Sequence, residues 1–355
     1  SALPLVLGLR QPERSLADAR HLERVAAELG ASPAGLGYVD LPLLARAHGA
    51  ALPDPCGAEL AGLAALVPRI SIGLRRATAG RLHVVSAAET RRDVTDALLA
   101  LRGTVPAADP DVPVPASAVL GLAIDAAAAI RVVGGALDQV VESPYRCPAL
   151  GWLNRGARDL RALLRTGALG LLRQVRGVSL LILPGEPGAG GAPARPVEGA
   201  LLFLGSDDPR ALLAQLSALT HIPVPKLAPG DPPAEIAAGA AMPLGPVHVA
   251  LGARSLGVSL GGHQTELGEL IAAAPPADPP LVFLRTIPRD SGSLLELVTG
   301  RAGRSDPALA GEDPEIARLV AAARDRPLAR YEEVTTTARA SSRGLEIQLT
   351  ARYPR

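Results

Sequence analysis

The sequence predicts an α+β fold: a curved antiparallel sheet built from repeated hairpin-and-helix units, with helices packed on one face and two pseudo-duplicated halves. Three observations predict it. A strand–turn–strand–helix pattern occupies Ile70–Leu74, Leu82–Ser86 and Glu89–Leu101, and recurs at Val247–Leu251, Leu256–Leu260 and Thr265–Ala274, about 175 residues later. Two further hairpins have the same format, Val178–Leu183 with Ala200–Leu204 and Ala329–Arg339 with Leu345–Tyr353. Strict strand–helix alternation with glycine-rich turns, the mark of a parallel sheet, is missing.

Taken in order, Leu3–Arg10 alternates as a strand does, and Pro12 suits a first helical turn. Leu16, Ala19, Leu22, Val25, Ala26 and Leu29 recur at helical spacing, with Gly30 placed to cap the helix. Tyr38–Leu41 is a short strand. Cys56–Val67 is an Ala/Leu helix stopped by Pro68. After the first hairpin and its helix, residues 103–116 carry Pro106, Pro110, Pro113 and Pro115, which predicts a linker or an extended crossing segment. Val119–Ile124 is a strand and Ala126–Val141 a helix. A longer helix runs from Leu150 to Gln174, with Arg155, Arg158, Arg161 and Arg165 along its polar side and Leu160, Leu163 and Leu164 opposite. Such an arginine stripe is a solvated helix face or a surface for an anionic partner.

Pro184–Pro196 is a flexible loop within the next hairpin. Asp207 and Asp208 stand before Pro209, an N-cap followed by a first-turn proline, and predict a helix to Leu219. Residues 222–246 are proline-rich, with a short Ala-rich segment at Glu235–Ala241. Leu281–Thr286 is a strand, Ser293–Val298 begins a helix, and Asp313 caps another over Pro314–Arg324. The Thr/Glu/Arg alternation of the last hairpin gives it one wet face. Residues 1–184 and 197–355 are the expected sheet-and-helix halves, joined by the Pro/Gly loop 185–196. One continuous large sheet is the alternative.

Composition narrows the function classes. Hydrophobic residues make up 48% of the 355 and the net charge is +1, which fits a folded chain. Arginine supplies nearly all positive charge, with Lys226 the single lysine, and no basic stripe interleaves with aromatics, so nucleic acid is not an expected partner. The best candidates for a membrane span are interrupted: Ala118–Leu137 by Asp125 and Arg131, Ala168–Leu183 by Arg173 and Arg176. The chain begins at Ser1, and we read this as removal of a signal peptide, a lipoprotein leader or an expression tag.

Chemistry is sparse. Cys56 and Cys147 each neighbour a proline and are a candidate disulfide, two buried free thiols, or a reactive thiol; the bond implies an oxidising compartment. No phosphate-binding loop is present. His21, His48, His83, His221, His248 and His263 are scattered without metal-ligand spacing, so no metal, catalytic or cofactor residues are assigned. Gly257-Val-Ser259-Leu-Gly261 matches the letters of a hydrolase elbow, but Ser259 falls inside an alternating strand rather than at a strand-to-helix turn.

The phrases Leu7-Gly-Leu-Arg-Gln-Pro12, Leu204-Gly-Ser-Asp-Asp-Pro209 and Leu284-Arg-Thr-Ile-Pro288 join apolar strands to capped helices. In this the chain resembles uncharacterised secreted or lipid-anchored α+β repeat proteins of high-GC Gram-negative bacteria. The resemblance implies a periplasmic or outer-membrane-associated setting and brings no catalytic residues. The first functional expectation is therefore a non-enzymatic cell-envelope protein, a scaffold or partner-binding subunit of a larger assembly of envelope proteins. The second is a carrier of a lipid or other apolar ligand between sheet and helices. The third is a serine hydrolase centred on Ser259.

Overall fold

The computed structural model describes residues 20–49, 52, 54–106, 116–165, 170–184, 199–236, 245–287 and 331–354. The expected elements at Leu3–Arg10, Ser293–Val298 and Pro314–Arg324, and the loop 185–196, lie outside them. Among the described residues, eight α-helices accompany one sheet: α1 (His21–Leu29), α2 (Leu41–Gly49), α3 (Cys56–Leu66), α4 (Arg92–Ala100), α5 (Ala126–Glu142), α6 (Gly151–Arg165), α7 (Pro209–Thr220) and α8 (Gln264–Ala272).

The strands are β1 (Leu36–Asp40), β2 (Arg69–Thr78), β3 (Arg81–Glu89), β4 (Ala118–Leu122), β5 (Val175–Leu183), β6 (Gly199–Ser206), β7 (Ala234–Ile236), β8 (Val247–Leu251), β9 (Ser255–Leu260), β10 (Val282–Thr286), β11 (Glu333–Ser341) and β12 (Gly344–Arg352). They form a single curved twelve-stranded sheet in the order β1-β2-β3-β12-β11-β10-β4-β5-β6-β9-β8-β7. Every pairing is antiparallel. Strands of residues 1–184 and 197–355 interleave: β12, β11 and β10 stand between β3 and β4. The two expected halves therefore share one sheet.

Local sequence accounts for the elements. Gly30 ends α1 in the left-handed conformation, at φ 61°. The Asp125 side chain accepts from Ala128 N at the start of α5, and Asp208 accepts from Ala211 N beside Pro209 at the start of α7. The expected Leu150–Gln174 helix stops at Arg165, and Leu172–Gln174 is a separate 3-10 turn. Gly167 and Gly170 stand between them, each a weak helix former. The short strand β7 carried too little period-2 pattern to be predicted.

The register defines two faces. Directly paired residues share a face, so Val85 on β3 lies with Gln348, Thr337, Phe283, Gly121, Ser179, Phe203, Gly257 and Ala250. On this mixed face Leu267, Leu270 and Ile271 of α8 pack on Leu181, Leu201, Phe203 and Phe283, joined by Val105. The chain's two phenylalanines are both here, fully buried. At the far end Val25 and Leu29 of α1 pack on Val85. The opposite face carries α7, whose Leu212 and Leu213 meet Leu204, Val249, Leu251, Leu256 and Val258.

Helices thus cover both faces, which corrects the one-face expectation. The reason is in the strands: β8 is buried at every position, and β5 and β6 carry large apolar side chains on both sides, so at this end of the sheet both faces take a helix.

Of the segment 103–116, expected as a linker or an extended crossing, residues 107–115 lie outside the described residues; its start crosses β5. Gly103 N donates to Ala123 O, and Thr104 N to Arg176 O. A bulge in β5 between Val175 and Gly177 swings Arg176 out of register.

Candidate ligand-binding face

The second face of the sheet is apolar from end to end. One row across the strands reads Leu74, Val84, Leu349, Thr336, Leu284, Leu120, Leu180, Leu202, Val258, Val249 and Ala234. The next reads Ile72, Ser86, Ile347, Ala338, Val282, Leu122, Val178, Leu204, Leu256 and Leu251. Threonine and serine are the only polar side chains in these rows, and no charge interrupts them.

α7 covers the β6-β9-β8 end of this face. Elsewhere large apolar side chains stay in solvent: Ile72 is 50% exposed, Leu120 40% and Ile347 39%, with Ile70 and Val39 beside them. Strands lie about 4.8 Å apart, so from β2 to β4 the apolar floor extends about 24 Å across the sheet. Ile72, Ile347 and Leu120 are the exposed points of this floor, and Val84, Leu349 and Leu284 between them are half-buried. A smaller apolar groove of about 430 Å³ runs between α2 and α3, lined by Leu41, Leu44, Leu60, Leu63 and Val67.

The mixed face behaves differently between α8 and α1. The expected wet side of the last hairpin is here: Thr335, Thr337, Arg339, Gln348 and Thr350 line a polar trough of about 720 Å³ with Arg81, His83, Arg285, Glu333 and Arg352. His83 is held below the ordinary histidine pKa by its burial first and by the Arg75 charge second. It is a neutral ring at pH 7. Arg352 pairs with Glu333 at 3.5 Å and Arg339 with Asp278 at 3.6 Å.

Cys56 and Cys147 are bonded, with Cα atoms 4.6 Å apart, and tie α3 to the segment before α6. Leu60, Leu63, Tyr145, Leu150 and Leu153 pack around the bond. Glu59 accepts from Arg146 N at 2.7 Å and Cys147 N at 2.9 Å. Asn154, the chain's single asparagine, both donates to Tyr145 O and accepts from Tyr145 N. The bond is consistent with an extracytoplasmic, oxidising setting.

A charged cluster sits where the crossing segment meets β5 and β6. Arg176 bonds Asp125 at 2.8 Å and Asp207 at 2.7 Å, and Arg254 bonds Asp207 at 2.7 Å. Hydrogen bonds from Arg176 first and Arg254 second hold the Asp207 carboxyl below the ordinary aspartate range. A depressed folded-state pKa stabilises above the unfolded value, and that contribution is lost as pH falls through the folded one. Asp207→Asn is therefore expected to cost less than about 1 kcal/mol near pH 7, because the side chain is 52% exposed. The cost fades below about pH 4. Urea denaturation of both proteins across pH 2.5–7 checks it.

Ser259 is fully buried in mid-strand on β9. The register aligns it with His248, and His248 with Glu235. Neither Ser259 Oγ nor His248 Nδ1 has a hydrogen-bond partner among the described residues, so this row forms no proton relay. Among the described residues no cluster of His, Cys, Asp or Glu could hold a metal ion, and no helix is long and apolar enough to cross a membrane.

The chain matches no protein-family model, and comparison with curated proteins finds no match. Two solved structures align with it. Crystal form I of TP0453 covers 68% of this chain and 76% of its own, at 11% identity and a TM-score of 0.28. Crystal form IV of TP0453 covers 65% and 74%, at 11% identity and a TM-score of 0.26. At those values the chain is similar to TP0453 only in loose outline, and no argument rests on it.

Proposed function

We propose that this protein is a non-enzymatic cell-envelope protein that holds a lipid or other apolar ligand against the apolar face of its sheet. One observation carries the reading: uncharged rows of Leu, Ile and Val cross the sheet and stay exposed at Ile72, Ile347 and Leu120. Burying each such side chain is worth about 1.5–3 kcal/mol, so the face is costly to leave in water. The surface is an open floor, which suits a chain-like ligand laid across strands.

The disulfide favours a periplasmic or outer-membrane-associated location for this work. A second reading takes the same face as the seat of an envelope partner, in a scaffold or assembly subunit. Its area and curvature favour neither reading, but the absence of charge along the rows favours hydrocarbon over a protein surface with a polar rim.

We also read the strand order as the product of duplication. From either end it runs three consecutive strands, then three in reverse: β1-β2-β3-β12-β11-β10 and β7-β8-β9-β6-β5-β4. The recurrence of hairpin then helix at β2-β3-α4 and β8-β9-α8 supports it. A repeat boundary between α7 and β7 follows from this order, rather than one at 184–196.

The test is native mass spectrometry of the purified protein, followed by titration with cis-parinaric acid. A co-purified lipid and saturable binding are expected. Ile72→Asp with Ile347→Asp, which charges one row on both sides of Ser86, is expected to weaken binding about tenfold or more. A bare apo mass with no parinaric acid binding sinks the carrier reading. Capture of a defined envelope protein, lost in the same variant, would install the scaffold reading in its place.

A further inference from the structure

The polar trough on the mixed face holds more positive charge than its carboxylates balance. Arg81, Arg285, Arg339 and Arg352 line it, and Glu333 is the one acid among its described lining residues. Glu333 stands 3.5 Å from Arg352. Asp278 joins from the side. Its backbone oxygen accepts from Arg339 Nη1 at 2.7 Å, while its carboxylate is 3.6 Å from Arg339 and is shared with Arg102 at 3.1 Å. The ion pairs of Arg352 and Arg339 are longer than a charge-assisted hydrogen bond of about 2.7–2.9 Å, so neither guanidinium is saturated by its carboxylate.

The register sharpens this imbalance. Arg81 on β3 is directly opposite Arg352 on β12, and Glu333 on β11 is opposite Arg352 on its other side. Like charges facing one another across paired strands are unfavourable. The next row runs His83, Thr350, Thr335 and Arg285 from β3 to β10. His83 Nε2 is buried and has no hydrogen-bond partner among the described residues. Burial first and the Arg75 charge second keep that ring neutral, so it offers a hydrogen bond without adding to the repulsion.

The dimensions select the kind of anion. β3 and β10 are separated by β12 and β11, so the backbones that carry Arg81 and Arg285 lie about 14 Å apart. One small inorganic ion cannot meet both ends of a trough of about 720 Å³. Guanidinium groups match phosphate and carboxylate oxygens two at a time, and threonine hydroxyls lie between them. No aromatic ring lines the trough among the described residues, so nothing there stacks a nucleobase.

We propose that this trough binds a small organic anion carrying two or more phosphate or carboxylate groups. Arg81 and Arg352 hold one group, which neutralises their opposition, and Arg285 holds another, with His83, Thr335 and Thr350 between them. The trough lies on the opposite side of the sheet from the apolar floor, so this site goes beyond the carrier reading and does not depend on it.

The full chain is titrated by isothermal calorimetry at low salt, with pyrophosphate and citrate as probes and with acetate and glucose as controls. Saturable one-to-one binding of pyrophosphate, citrate or both is expected, weakened by added salt and absent for both controls. The tighter probe identifies phosphate or carboxylate as the group the trough takes. Arg81→Gln with Arg352→Gln is expected to weaken binding about tenfold or more, with circular dichroism unchanged because the change removes an opposed pair of charges. Glu333→Gln removes the competing carboxylate and is expected to tighten binding up to about fivefold.

Binding of neither probe overturns the proposal, as does binding that ignores the arginine pair. Acetate bound as tightly as citrate reduces the trough to unspecific charge and overturns it too. Ile72→Asp with Ile347→Asp leaves the titration unchanged, which keeps this test apart from that of the sheet face.

Discussion

Replacing both Cys56 and Cys147 with alanine is expected to lower the free energy of unfolding by about 4–5 kcal/mol. The bond closes a loop of 91 residues, and the entropy it removes from the unfolded chain grows with the logarithm of that length. The loop contains β2, β3, α4, β4 and α5, so the bond fastens the first hairpin region and the helical arm together. Alanine leaves only a small cavity among Leu60, Leu63, Leu150 and Leu153, and adds little to the loss. Urea denaturation of the oxidised protein and of the double variant measures the difference. A loss below about 1 kcal/mol would mean that Glu59 and Asn154 already hold the loop without the bond.

Gly103→Ala is expected to cost about 3 kcal/mol or more. A Cβ there would stand 1.7 Å from Arg176 O and 2.8 Å from Asp125 N. Those neighbours are backbone, fixed by the pairing of β5 and the cap of α5, and cannot step aside as a side-chain end could. The same crossing presses on Gly205, whose Cβ would meet Thr104 O at 2.0 Å. Loss of the hydrogen bonds from Gly103 N to Ala123 O and from Thr104 N to Arg176 O adds to the cost. Thermal and urea unfolding of the purified variant decide it. Gly62→Ala is the control: it lies within helix α3, its Cβ would meet nothing within 4 Å, and it is expected to keep stability or raise it by up to about 1 kcal/mol.

Much of the fold is readable from local pattern. The hairpins β2-β3, β5-β6, β8-β9 and β11-β12 follow from apolar runs separated by turn residues, and α7 from Asp208 and Pro209. The pairing of β3 with β12 and of β10 with β4 is not readable, because each joins residues more than 150 positions apart and no local chemistry selects the partner. That pairing also creates the candidate ligand face. Ile72, Ile347 and Leu120 look like ordinary core residues of separate strands until the register sets them on one surface. The single-face helix expectation failed for a related reason: Val247-His-Val-Ala-Leu251 does not say which of two apolar sides a helix will take.

The cysteines are legible as a candidate disulfide, and what separates the bond from two buried thiols is that α3 meets the segment before α6 in space. Ser259 shows the converse. Its letters fit an elbow, while the alternating strand around it argues for a mid-strand position, where the structure finds it, fully buried. The arginines of α6 are visible as a stripe; the exposure of Trp152 on another side of the same helix is not, because a large aromatic residue is on average highly buried.

The place of β12 imposes an order in time. Among the described residues, residues 36–89 join the remainder of the sheet along β12, the last of its described strands in chain order. About 255 residues separate Glu89 from Gly344, which at cellular elongation rates is a wait on the order of 10–50 s. Throughout it the long edge of β3 stands open, a template for pairing with a neighbouring nascent chain. Closure of that edge accordingly waits on β12.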